Sequence, residues 1–135
     1  MHDGRAYLQL RARVAPINLR LMSSPSALPL SPVVRVPAGE ILVVSGQIAE
    51  RELLSADAGA QATSVLRTLQ SILKAEGRTM GDVVRVGIFL VDMADFAAVN
   101  EVYREFFAAP FPARTTVAVA ALPFGARVEM EALAR

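Results

Sequence analysis

Three kinds of side chain in this sequence can do chemistry at a useful spacing: the guanidinium of Arg114, the carboxylates of Glu129 and Glu131, and the hydroxyl of Ser45. Arg114 follows Phe111-Pro112-Ala113, and the proline fixes the backbone that aims it. A guanidinium held this way presents a planar two-donor fork matched to a carboxylate or a phosphate. The blander reading is a strand arginine reaching to solvent or pairing with Glu129 or Glu131, and spacing alone favours it. Glu129, between Val128 and Met130, is the better candidate for a base, because desolvation there raises a carboxyl pKa while a nearby arginine lowers it. Glu131 reads more readily as part of a polar layer between subunits. Ser45 lies in Val44-Ser45-Gly46-Gln47, outside any nucleophile elbow, which leaves it as a hydroxyl donor to a ligand.

What the chain lacks narrows the chemistry further. His2 is the only histidine and there is no cysteine, which excludes catalytic triads, thiolate nucleophiles, disulfides and metal sites rich in either ligand. Any catalysis must therefore use Arg, Lys, Asp, Glu, Ser, Thr, Tyr or backbone groups, and no metal or cofactor is expected. With 14 basic and 13 acidic residues the net charge is +1, too small a field to steer nucleic acid. No apolar run approaches the roughly 20 residues of a membrane helix, so a cytoplasmic protein is expected, in keeping with the absence of cysteine. The 135 residues suit one domain, yet only 20% are charged and 53% are hydrophobic. An average soluble domain carries about 25% charged residues, so part of this surface is expected to be buried between subunits.

The elements that must position these groups follow from periodicity. Residues 1–16 read as a flexible N-terminal extension, and 17–135 as a single domain. Five prolines between Pro16 and Pro37 exclude helix from the lead-in, where Asn18 to Ser23 can form a short edge strand and residues 25–37 a stiff loop able to wall a site. A strand is predicted within 40–48, its continuous apolar run meeting Ser45-Gly46. A helix follows over 57–76, with Ser55 or Asp57 as N-cap and Gly77 as C-terminal cap. A strand over 83–91, apolar on both faces, suits a central position, and a second helix spans 94–107 with Phe96, Val99, Tyr103, Phe106 and Phe107 on its core stripe. Asn100 and Tyr103 can reach a site from that helix, although packing is the commoner role.

The C-terminal segment reads as two strands joined by the turn Pro123-Phe124-Gly125. A regular hairpin about that turn sets Ala118 opposite Glu129 and Thr116 opposite Glu131. Parity then puts Arg114, Thr116, Glu129 and Glu131 on one face, and Val117, Val128, Met130 and Ala132 on the other. The expected architecture is α+β, with two helices packed on one face of a mixed β-sheet.

Several separated motifs, in order, resemble the Rid/YjgF family, the reactive-intermediate deaminases of RidA type. They are the Pro-rich lead-in, Val44-Ser45-Gly46-Gln47-Ile48, Glu76-Gly77, Gly81-Asp82-Val83-Val84, Asp95-Phe96 with Val99-Asn100 and Tyr103, Phe111-Pro112-Ala113-Arg114, and Val128-Glu129-Met130-Glu131-Ala132. The resemblance implies a chorismate-mutase-like α+β fold assembled as a homotrimer, with ligand clefts between neighbouring subunits. It implies hydrolysis of small 2-imino acids, such as 2-iminobutanoate and 2-iminopropanoate, to 2-oxo acids and ammonia without a cofactor. By the same resemblance Arg114 grips the substrate carboxylate, Glu129 places or activates water, and Ser45, Gly46, Val33 and the backbone around Thr116 line the cleft. Two positions depart from the family pattern: Val33 stands where a tyrosine is frequent, and Thr116 where a cysteine is common. The rival readings are a non-catalytic trimer that binds a small carboxylate and regulates a partner, and a ribonuclease.

Overall fold

Two amphipathic helices lie on one side of a four-stranded sheet, and the sequence of the elements is β1 (Leu42–Ile48), α1 (Ala58–Ala75), β2 (Val83–Leu90), α2 (Phe96–Phe106), β3 (Ala113–Ala118) and β4 (Val128–Ala134). This is a computed structural model, and it describes residues 28–31, 33, 34, 36 and 38–135. The expected N-terminal extension (1–16) and the edge strand at 18–23 lie outside the described residues.

α1 begins where Asp57 caps it, its carboxylate accepting the Ala60 N–H at 2.8 Å, and Gly77 follows its C-terminal end with φ of 72°. Its buried stripe of Ala62, Val65, Leu66, Leu69 and Leu73 packs on the sheet with Val86, Ile88, Leu90, Val128, Met130 and Ala132. Each fully buried leucine in this layer contributes about 2 kcal/mol of transfer free energy. Ahead of α2 stands a 3-10 turn, Met93–Asp95, with the Asp92 carboxylate accepting the Ala94 N–H at 2.8 Å. The helix predicted over 94–107 is therefore shorter at its start, because Asp92 caps the turn and not the helix. Among the described residues no helix is long and apolar enough to cross a membrane.

The strand order is β1-β4-β2-β3. β4 runs antiparallel to both β1 and β2, so those two strands run the same way with β4 between them, while β2 and β3 pair directly in parallel. α2 makes the crossover between these parallel neighbours, and α1 the longer one from β1 to β2. This overturns the expected hairpin. β3 and β4 are not neighbours; β2 lies between them, and residues 119–127 carry the chain across. The 3-10 turn Pro123–Gly125 is present as chain reversal, but it joins strands that never pair.

Among the described residues the far face of the sheet carries no helix. Val43 and Val117 are exposed there, and Arg85 and Glu131 form a loose pair at 3.7 Å. β2 is central as expected, but among the described residues it is covered on one side only.

Candidate active site

Register decides which functional groups can meet. One row across the sheet reads Arg114, Val86, Ala132, Val44, and the last three are buried under the helices. Another reads Val117, Phe89, Glu129, Ile48. Paired residues project to the same side, and the side alternates along a strand. Arg114 and Thr116 therefore point to the helix side, whereas Glu129 and Glu131 point to the open face. The expectation that all four share a face fails because it counted parity through a turn between strands that do not pair.

On the helix side, the Arg114 guanidinium lies over two rings of α2, with Cζ 4.9 Å from the centroid of Tyr103 and 5.7 Å from that of Phe96. Its Nε, Nη1 and Nη2 are all shielded from solvent, and none has a hydrogen-bond acceptor among the described residues. Burial pulls its pKa down; the facing Tyr103 works against that shift, and Arg104 adds to it. The Tyr103 hydroxyl, Thr116 Oγ1 and Asn100 Oδ1 are likewise buried without partners. Burial pushes the Tyr103 phenol well up, against a smaller opposing pull from Arg114, so it stays protonated at physiological pH. Buried polar groups are normally satisfied, and an unpaired buried cation is among the costlier exceptions. The Arg114 guanidinium is thus a buried cation whose fork has no acceptor among the described residues, the one group here that calls for an anion.

The start of β3 is braced by the lead-in. The Ser31 N–H donates to the Pro112 carbonyl at 2.8 Å, its hydroxyl donates to the Phe111 carbonyl, and Ser31 forms a parallel bridge with Ala113. Val33 is two residues beyond this anchor and 68% exposed. Ser31, within the expected wall, is thereby tethered beside the strand that carries Arg114.

On the open face, β1 bulges. Val44 pairs with Ala132 and Gln47 with Met130, which leaves Ser45 and Gly46 opposite Glu131 alone. The Glu129 carboxylate occupies the space over Gly46, where a Cβ would overlap Oε1, and the Glu131 carboxylate lies in the same way over Gly87. Ser45 is exposed and lines a shallow groove between β1 and α1 with Val43, Gln47, Ile72 and Glu76. The structure thus brings together Gly46 and Glu129, and separately Arg114, Tyr103 and Phe96, with Thr116 on the same side of β3 as Arg114 and Asn100 three residues before Tyr103 on α2.

One network braces both groups. The buried Gln61 donates from Nε2 to the Leu54 and Ala56 carbonyls at 3.0 and 2.9 Å, and its Oε1 accepts the Arg127 N–H at 2.8 Å. Arg127 Nη2 in turn donates to both carboxylate oxygens of Asp95 at 3.1 and 2.9 Å. Arg127 precedes β4 and Glu129, and Asp95 immediately precedes Phe96. Sequence reasoning gave Gln61, Asp95 and Arg127 no role; the signal available was a glutamine within the apolar stripe of α1.

Comparison with known proteins bears on the family and the fold. Residues 22–135 match the family described as Endoribonuclease L-PSP. Protein DfrA of Myxococcus xanthus is 46% identical over 127 residues, 90% of this chain and 97% of that protein. A 2-iminobutanoate/2-iminopropanoate deaminase of Dermatophagoides farinae is 39% identical over 120 residues, 84% of this chain and 94% of that one. The crystal structure of RidA from the Antarctic bacterium Psychrobacter sp. PAMC 21119 superposes with a TM-score of 0.67 at 35% identity, covering 79% of this chain and 92% of that one. Fold, motifs and relatives together place this chain in the Rid/YjgF family, the family described as Endoribonuclease L-PSP.

Proposed function

We propose that this protein hydrolyses small 2-imino acids to 2-oxo acids and ammonia, with Arg114 binding the substrate carboxylate and Glu129 handling the water. The observation that carries this reading is the buried Arg114 guanidinium whose three nitrogens have no acceptor. A carboxylate supplies what that cation lacks. The deaminase of Dermatophagoides farinae, similar along most of its length, supports the same substrate class.

Arg114 and Glu129 face opposite sides of the sheet, so in this reading a complete cleft takes them from two chains of a homotrimer. The uncovered sheet face, with Val43 77% exposed, supports such an assembly. In the cleft, Glu129 accepts a proton from water as the water oxygen adds to the imine carbon, and the same carboxyl returns that proton to the imine nitrogen, giving the carbinolamine. Glu129 then takes the proton of the carbinolamine hydroxyl and passes it to the amine nitrogen, so the carbonyl forms as the carbon–nitrogen bond breaks and ammonia leaves. Thr116 and Val33 bound the substrate side chain, Gly46 gives Glu129 its space, and Ser45 offers a hydroxyl at the rim. Imines hydrolyse in water unaided, so positioning and one proton relay suffice, without a metal or cofactor.

The test follows the decay of 2-iminobutanoate, generated in situ by an amino-acid oxidase. Wild type accelerates decay and Arg114→Ala does not. A folded, trimeric wild type that fails to accelerate this imine or bulkier ones overturns the reading, and binding of 2-oxobutanoate without turnover would indicate a carboxylate-binding regulator.

A further inference from the structure

We infer that Phe96 and Tyr103 are the positioning residues of Arg114: α2 holds the guanidinium by its aromatic faces so that every N–H remains free for the ligand carboxylate. The inference rests on the reading of Arg114 as a carboxylate anchor and adds what aims it. A buried arginine is ordinarily stabilised by a carboxylate, whose oxygens would occupy the same fork that a substrate must use. No such partner is present among the described residues. In its place stand two rings, at 4.9 and 5.7 Å from Cζ. A ring quadrupole attracts the cation through its face and leaves the in-plane N–H donors uncommitted.

The rings are themselves held. Tyr103 is fully buried and packs on Phe107 with centroids 4.4 Å apart. Phe96 opens α2 directly after Asp95, which Arg127 grips through both carboxylate oxygens. The platform is thus fixed at both ends, and the guanidinium has one defined plane. Within this platform the Tyr103 ring holds Arg114, and its unpartnered hydroxyl is dispensable for that task.

The experiment compares Tyr103→Phe, Tyr103→Leu and Phe96→Leu for imine hydrolysis and for binding of 2-oxobutanoate and its uncharged amide. Ring loss is expected to raise KM and weaken 2-oxobutanoate binding about ten-fold, while kcat changes less than about three-fold and amide binding is unchanged. Tyr103→Phe is expected to restore carboxylate binding to within about two-fold of wild type. Phe96→Leu, only half-buried, keeps the test open if Tyr103→Leu does not fold. Unchanged carboxylate affinity in a folded ring-loss variant overturns the inference, as does equal weakening of acid and amide. Binding is read separately from turnover: if wild type binds 2-oxobutanoate but hydrolyses no imine, the deaminase reading falls and the ring comparison still decides this one. A wild type that binds no carboxylate overturns both.

Discussion

The Glu129 carboxylate occupies the space that a side chain at Gly46 would need, so the conformation of the acid and the absence of a side chain on the neighbouring strand are one feature. The bulge at Ser45-Gly46 brings the glycine beneath the carboxylate, and register puts both on the open face. Gly46→Ala should therefore displace Glu129 without touching the core. Because small misplacements of a reacting group are costly, kcat is expected to fall by about 10- to 100-fold, with a change in stability below about 1 kcal/mol. Gly87→Ala is the matched control, since a Cβ there stands 2.9 Å from Glu131 Oε1 instead. Steady-state kinetics and urea unfolding of both variants decide the matter; an equal loss in the two would remove the special role of Glu129.

The buried Gln61 side chain ties α1 to two loops. Gln61→Leu keeps the volume but strips the Leu54 and Ala56 carbonyls and the Arg127 N–H of their partner. Leaving partly buried polar groups unmet costs about 2 to 4 kcal/mol here, to be read as a lower urea midpoint at unchanged slope. A midpoint within experimental error of wild type would show that water replaces the amide without penalty.

The Tyr103 phenol has its pKa raised by burial, with the charge of Arg114 opposing that shift. Between the unfolded value, about 10, and the higher folded one, the native state holds a proton that the unfolded chain has released. Stability contributed this way is full below about pH 10 and is lost as pH rises beyond it. Tyr103→Phe should remove that decline, so the stability difference between wild type and variant is flat below about pH 10 and moves in favour of the variant above it. Thermal unfolding across an alkaline series measures it, and parallel curves throughout would contradict the assigned burial of the hydroxyl.

Much of the fold was legible because it is written in local pattern. The stripe from Ala62 to Leu73 and the cap pair of Asp57 and Gly77 define α1 from its own residues, a short run apolar on both faces defines β2, and alternation defines β4. Strand partnership is not local. Pro123-Phe124-Gly125 announces a reversal, and nothing in the adjoining residues records that β2 has taken the place beside β3. That one substitution of neighbours moved Arg114 and Thr116 to the other side of the sheet from Glu129. The spacing makes Tyr103 a core residue able to reach a site, and it is core; which group it meets depends on β3 setting a guanidinium over its ring.

The opposite facing of Arg114 and Glu129 makes the subunit arrangement testable by complementation. Arg114→Ala and Glu129→Gln should each be inactive alone. If every cleft of a homotrimer combines Arg114 of one chain with Glu129 of the next, each mixed trimer regenerates one intact cleft, with a native arginine from one variant and a native glutamate from the other. Random assembly at equal ratio then recovers about a quarter of wild-type activity, because about three quarters of trimers are mixed and each has one working cleft in three. The variants are unfolded together, refolded as a mixture and assayed against the same proteins refolded separately and then combined. Recovery only in the co-refolded sample requires clefts shared between chains. No recovery, with mixed trimers demonstrated by mass, would mean that each chain completes its own site, which the register of β3 and β4 forbids unless the sheet rearranges on binding.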